Sequence, residues 1–172
     1  DRSSADYTGM MATVINSLIL QNSLEQKGVP TRVLSAIPMQ TICETFIKRR
    51  AIRHLEKGRV IIFASGTGNP YFSTDTAATL RAAEMNCEII FKGTSVNGVY
   101  DSDPKKNIDS KMYDNISYKK VLSDNLKVMD SSAISMARDN LIPMVVFSIL
   151  KNNSFLNATL GKGSFTLISE EK

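Results

Sequence analysis

At 172 residues the chain is long enough for one domain with a core of its own. Its 42% hydrophobic content is that of an ordinary globular protein, and a formal charge of +4 is too mild to argue for nucleic acid. One His and two Cys without C-x-x-C spacing exclude a structural zinc site, and no apolar run reaches the roughly 20 residues of a membrane span.

Met11, Val14, Ile15, Leu18 and Ile19 recur at helical spacing, which predicts a helix over 10–24 closed by Gly28. A strand over 31–36 stops at Ile37-Pro38, and 40–46 reads as a short helical turn. The next helix, 47–57, carries Lys48, Arg49, Arg50, Arg53 and Lys57 around Ile47, Ala51, Ile52 and Leu55. With no aromatic residue interleaved for stacking, this is a solvated face, and His54 is expected on its surface. Cys43 and Cys87 sit in apolar surroundings and are expected to be buried free thiols. Then come a strand over 60–65, a helix over 75–85 and a strand over 87–91. A long polar connection, 97–113, has turn signals at Asn97-Gly98 and Asp103-Pro104. A short helix over 117–123 precedes one capped by Asp130 and running to Asn140. A strand over 143–149, a small helix over 155–160 and a strand over 165–168 complete the chain. Continuous apolar strands alternating with helices predict an α/β fold whose mostly parallel sheet is covered on both faces. Ligands of such sheets lie beyond the carboxyl ends of strands.

Two loops occupy that position. The first is Phe63-Ala64-Ser65-Gly66-Thr67-Gly68-Asn69-Pro70-Tyr71-Phe72-Ser73-Thr74-Asp75. Small residues between a strand and a helix bring backbone N–H groups and a positive helix end to an anion. Thr67, Asn69, Ser73 and Thr74 add side-chain donors. The same stretch also reads as an ordinary loop capped by Thr74 or Asp75. It is neither G-x-x-x-x-G-K-[ST] nor G-x-G-x-x-G. The second loop, Lys92-Gly93-Thr94-Ser95-Val96-Asn97-Gly98-Val99-Tyr100-Asp101-Ser102-Asp103-Pro104, follows the other apolar strand.

With Leu126-Lys127-Val128-Met129-Asp130, Ala137-Arg138-Asp139 and Asp6-Tyr7-Thr8-Gly9-Met10-Met11-Ala12-Thr13, these loops resemble the motifs of the bacterial uridylate (UMP) kinases of the amino-acid-kinase superfamily. The resemblance runs from Asp6 to Ile168. It implies a single domain over 1–172 with the amino-acid-kinase fold, a three-layer αβα sandwich around a mostly parallel central sheet. The family begins with a strand bearing a catalytic lysine and a G-G-G-N-x-x-R-G loop. This sequence opens at Asp1 without them, so the N-terminal βαβ region is expected to be missing from it.

The resemblance implies transfer of the γ-phosphoryl of ATP to UMP, within pyrimidine nucleotide synthesis. Asp6 and the loop Thr67, Gly68, Asn69, Pro70, Tyr71, Phe72, Ser73, Thr74 would hold UMP, with Asp6 on a ribose hydroxyl and Tyr71 and Phe72 flanking the base. Read on its own, Asp6 serves equally well as a helix cap. Thr94, Tyr100 and Asp103 would hold ATP, although Asp103-Pro104 alone reads as a turn. Lys92, at the end of a strand, would bring its ammonium to the moving phosphoryl. Asp75 would organise catalytic lysines or, read locally, cap a helix. Asp130 is expected to act as a structural cap. Mg2+ is expected with ATP, to neutralise developing charge, and no residue of the chain is assigned as its ligand. The family further implies a cytoplasmic homohexamer responsive to GTP and UTP, with neither membrane nor nucleic acid as partner. The alternatives are another phosphotransferase of the superfamily or a nucleotide-binding chain without turnover.

Overall fold

The computed structural model describes residues 1–170, which group into two compact units, one ending at Met85 and one beginning at Asn86. The first opens with helix α1, Arg2–Glu25, whose N-cap Asp1 accepts the Ser4 N–H. It starts well before the expected residue 10, because its first two turns are polar and small and carry no apolar period. Strand β1 is Thr31–Ser35, β2 is Glu44–Thr45 and β3 is Val60–Ala64. Helix α2, Lys48–Glu56, precedes β3, and α3, Thr74–Glu84, follows it. The strands are parallel in the order β2-β1-β3. The turn expected over 40–46 forms only in its first part, where the Ile42 and Cys43 N–H groups donate to the Met39 carbonyl; Glu44 and Thr45 are extended and paired to β1, Leu34 lying opposite Glu44.

Val14 of α1, Val33 of β1 and Ala64 of β3 form the core of this unit, with Leu18, Met39, Cys43 and Ile62 packed around them. Each apolar side chain fully withdrawn from water contributes about 1.5–3 kcal/mol. The register of β1 on β3 sets Ser35 level with Ala64. The loops leaving these two strands therefore start side by side, which places the first candidate loop.

His54 corrects the expectation of a surface residue, being only 8% exposed. Its Nδ1 lies 2.9 Å from Arg59 Nη1 and its Nε2 lies 3.1 Å from Glu44 Oε2. A guanidinium only donates, so Nδ1 accepts and the Nε2–H donates to Glu44. Ala51 and His54 supply the buried face of α2, while Ile47 and Leu55 of the expected stripe are exposed.

In the second unit the strands are β4, Ile90–Thr94; β5, Asn115–Ser117; β6, Met144–Ser148; and β7, Phe165–Ser169. Helices α4, Tyr118–Ser123; α5, Ser131–Asp139; and α6, Ser154–Thr159 connect them. The order is β4-β6-β7-β5, parallel except for the β6–β7 pair. Every residue of β6 is buried, as an inner strand between two neighbours requires. Val145, Phe147 and Ala158 centre the core, and the Phe147 ring stacks on Phe155 at 5.7 Å. Tyr118, 1% exposed, donates its hydroxyl to the Ile142 carbonyl at 2.5 Å. Strand β4 begins three residues later than expected, so Lys92 lies in its middle, opposite Val146, and not at its end. Cys87, outside the strand, is exposed, and both cysteines are free thiols.

Candidate functional site

The first loop leaves β3 through four residues with left-handed backbone. Ser65, Gly66, Gly68 and Tyr71 have φ of 63°, 56°, 80° and 71°. Gly68 has a further reason to be glycine, since an added Cβ would lie 3.2 Å from Ala36 Cβ and 3.3 Å from its carbonyl oxygen. The Gly68 N–H donates to the Ser65 carbonyl at 2.8 Å, which closes a tight turn. The Thr67 hydroxyl donates to the Asn69 carbonyl and accepts the Asn69 N–H, both at 3.2 Å. Ser73 ends the loop as N-cap of α3, accepting the Thr76 N–H at 3.1 Å. The cap is thus one residue before Thr74 and two before Asp75, the two expected caps, and Asp75 stands in the first turn, where the helix dipole favours a carboxylate.

Asp6 is not a helix cap. It lies inside α1 and its Oδ2 accepts the Tyr71 N–H at 2.8 Å, with Arg2 Nε 3.6 Å away. Tyr71 and Phe72 are 63% and 58% exposed, so neither is a core residue. The Arg2 guanidinium lies 4.9 Å from the centre of the Tyr71 ring. Asp6 and the 67–74 loop are therefore one assembly within the first unit. Thr13 belongs to it as well, since its Oγ1 accepts the Ser65 N–H at 2.8 Å. Thr13 is the last residue of the D-x-x-G-M-x-A-T stretch that begins at Asp6.

In the second unit a cavity of about 500 Å³ is lined by Thr94, Tyr100 and Asp103, the three residues expected to contact ATP, and by Lys105, Lys106 and Lys127. That volume suits a small-molecule site. The loop is folded by Tyr100 bridging to Met112, by the Asp101 N–H on the Lys111 carbonyl, and by the Tyr113 N–H on the Val99 carbonyl. Asp103 does form the turn that its Pro104 suggests, with Oδ1 accepting the Lys105 N–H at 3.0 Å. Gly98 abuts Thr166, whose buried hydroxyl accepts the Val99 N–H at 2.8 Å. Residues 124–128, which overlap the L-K-V-M-D motif, supply another wall. Asp130 of that motif is the N-cap of α5 by position, but its side chain makes no capping hydrogen bond. On the cavity wall Asp124 meets Lys120 Nζ at 2.7 Å, and hydrogen bonds from Lys120 and Ser123 hold its carboxyl below the usual range.

Lys92 is half-buried on β4 and Asp75 half-buried on α3. Among the described residues no three His, Cys, Asp or Glu side chains come together.

The model of the amino acid kinase family matches residues 1–148. The chain belongs to that family. Within it, the chain is 63% identical over all 172 residues to the uridylate kinase of Wolbachia pipientis, covering 69% of that protein. It is 59% identical over its whole length to the uridylate kinase of Zymomonas mobilis, covering 71% of it. Among solved structures, the UMP kinase of Ureaplasma parvum matches 99% of the chain with a TM-score of 0.96 at 43% identity, and 73% of that structure is covered. The Bacillus anthracis UMP kinase matches all of it at TM-score 0.96 and 38% identity, with 71% of that structure covered. The chain thus shares the amino-acid-kinase α/β fold of these UMP kinases.

Proposed function

We propose that this chain acts as a UMP kinase, a phosphotransferase that moves the γ-phosphoryl of ATP to UMP and yields UDP and ADP. The observation that carries the reading is identity of about 60% to uridylate kinases along the whole chain, both loops included. UMP is assigned to Asp6 and the loop Thr67, Gly68, Asn69, Pro70, Tyr71, Phe72, Ser73 and Thr74. The loop turns through four left-handed residues there, and two exposed aromatic rings are available to a base. ATP is assigned to the cavity of Thr94, Tyr100 and Asp103, whose lysines suit phosphate oxygens.

Phosphoryl transfer calls for alignment and cationic stabilisation more than for covalent help. Lys92 is assigned to the charge that develops on the moving group, and Asp75 to orienting the cations around it. Mg2+ would enter with ATP, whose phosphates supply most of its ligands, and would neutralise charge on the β- and γ-oxygens. No side chain of the described residues is assigned to it.

We place the activity in the cytoplasm, within pyrimidine nucleotide synthesis. No helix among the described residues is long and apolar enough to cross a membrane, and the two thiols are free. A homohexamer governed by GTP and UTP is part of the same reading, and exposed Ile15, Ile19 and Leu20 on α1 offer an apolar surface for a subunit contact. The test is ADP release by the full-length protein with UMP, AMP and GMP. UMP should be far the best acceptor, because a purine overfills a site shaped by Asn69, Tyr71 and Phe72. Equal rates on AMP and UMP would overturn the assignment.

A further inference from the structure

The acceptor loop contains two non-glycine residues with left-handed backbone, Ser65 and Tyr71. In both, the N–H of the strained residue donates to a side chain of α1. Tyr71 N–H reaches Asp6 Oδ2 and Ser65 N–H reaches Thr13 Oγ1, each at 2.8 Å. Asp6 and Thr13 are two helical turns apart, so they share one face and are separated by about 10 Å along the axis. One rigid helix thus holds the loop at both of its strained points. Backbone in such regions persists only where the surroundings over-determine it.

Ser65 is the more tightly held of the two. The Thr13 hydroxyl donates its own proton to the Met10 carbonyl at 2.6 Å, leaving a lone pair for the Ser65 N–H. Ser35 donates to the Ile37 carbonyl at 2.6 Å, so the 3.0 Å contact between the Ser35 and Ser65 hydroxyls has Ser65 as donor. The Ser65 carbonyl in turn accepts the Gly68 N–H. Every polar group of buried Ser65 is therefore committed, and its N–H depends on a hydroxyl 52 residues away in sequence.

We propose that Thr13 is a positioning residue for the acceptor nucleotide: its hydroxyl fixes Ser65, and through Ser65 the turn of residues 66–69 that Ser65 closes with its carbonyl. The inference rests on the assignment of this loop to UMP. Thr13 itself touches no substrate. Its effect should appear in acceptor affinity, and it should depend on the hydroxyl and not on the methyl group.

The experiment compares wild type, Thr13→Val and Thr13→Ser in the full-length protein, with KM for UMP and for ATP measured separately. Thr13→Val, nearly isosteric, should raise the UMP KM about tenfold or more and leave the ATP KM within about twofold. Thr13→Ser should return the UMP KM to within about threefold of wild type. An unchanged UMP KM in Thr13→Val, a parallel rise in both KM values, or failure of serine to rescue would each overturn the proposal. Should the valine variant not fold, Thr13→Ala reads the same split. Amide hydrogen exchange over residues 65–68 separates this proposal from the acceptor assignment. If wild type does not use UMP, the assignment fails, while faster exchange in Thr13→Val but not in Thr13→Ser still supports the latch. Unchanged exchange overturns it.

Discussion

The Asp6 carboxylate, on a helix, accepts the backbone N–H of Tyr71, on a loop, at 2.8 Å across 65 residues of sequence. One oxygen of Asp6 thus orders the loop, and the resemblance to uridylate kinases asks the same side chain to meet a ribose. The two duties are compatible because an ionised carboxylate offers about four lone-pair sites.

Asp6→Asn keeps an acceptor for Tyr71 but loses the charge. A charge-assisted hydrogen bond contributes about 1.5–3 kcal/mol, so the UMP KM should rise by roughly tenfold or more, with the ATP KM little changed. Asp6→Ala removes the acceptor too and should cost more UMP affinity than Asp6→Asn. A variant with a normal UMP KM and only a lower Tm would restrict Asp6 to holding the loop.

Gly98 offers a test confined to the second unit. A Cβ there would collide with Thr166 Oγ1 and lie 2.9 Å from Met112 Sδ. The same Thr166 hydroxyl accepts the Val99 N–H beside the cavity. Gly98→Ala should therefore destabilise by about 1–3 kcal/mol, the usual range for overpacking, and raise the ATP KM without moving the UMP KM. Thermal unfolding and initial rates read the two effects. An unaltered Tm together with an unaltered ATP KM would show that the packing around Thr166 has room to yield.

Tyr118 predicts a pH dependence at the alkaline end. Burial, with a smaller effect from the Glu170 carboxylate, pushes its hydroxyl from 10.0 up to about 12. The folded state thus holds the proton more tightly than the unfolded chain does. The resulting stability is fully present below pH 10 and is lost as pH rises toward 12, an effect on the order of 2–3 kcal/mol. Tyr118→Phe should flatten Tm against pH across this window. It should also lower Tm at neutral pH, because the Ile142 carbonyl loses its donor. The same slope in wild type and variant would assign the alkaline transition to other groups.

Elements were legible where burial imposes a pattern. The cores of β1, β3, β6 and β7 are apolar runs bounded by Gly, Pro or polar residues, and the sequence placed them within a residue or two. Strands β2 and β5, with two and three residues, are too short to show alternation. Tertiary pairing alone makes them strands. His54 misled for a similar reason: it lies among basic residues, and its partners Glu44 and Arg59 are seen only in the fold. The loops stood out because glycine and hydroxyl residues between apolar runs have a local physical reason. Thr13 and Thr166 were missed because each hydroxyl serves a backbone N–H 52 or 67 residues away.

Lys92 and Asp75 are expected to act on the transition state more than on bound nucleotides. The backbone of Lys92 is fixed by β6, a strand buried along its whole length, with Val146 opposite it. Asp75 sits in the first turn of α3 beside the capping Ser73, so its backbone is fixed as well. Charged groups carried on backbone fixed in this way need less reorganisation when charge shifts during transfer, which is where electrostatic stabilisation is largest. Interactions made only in the transition state lower kcat and spare KM. Lys92→Met, which keeps most of the stem, and Asp75→Asn should each reduce kcat about a hundredfold or more. KM for both nucleotides should stay within about threefold and Tm within a few degrees. A Lys92→Met variant whose sole change is a raised ATP KM would make the lysine a ground-state phosphate ligand. An Asp75→Asn variant that loses Tm but not kcat would leave Asp75 a dipole-stabilised helix residue with no part in transfer.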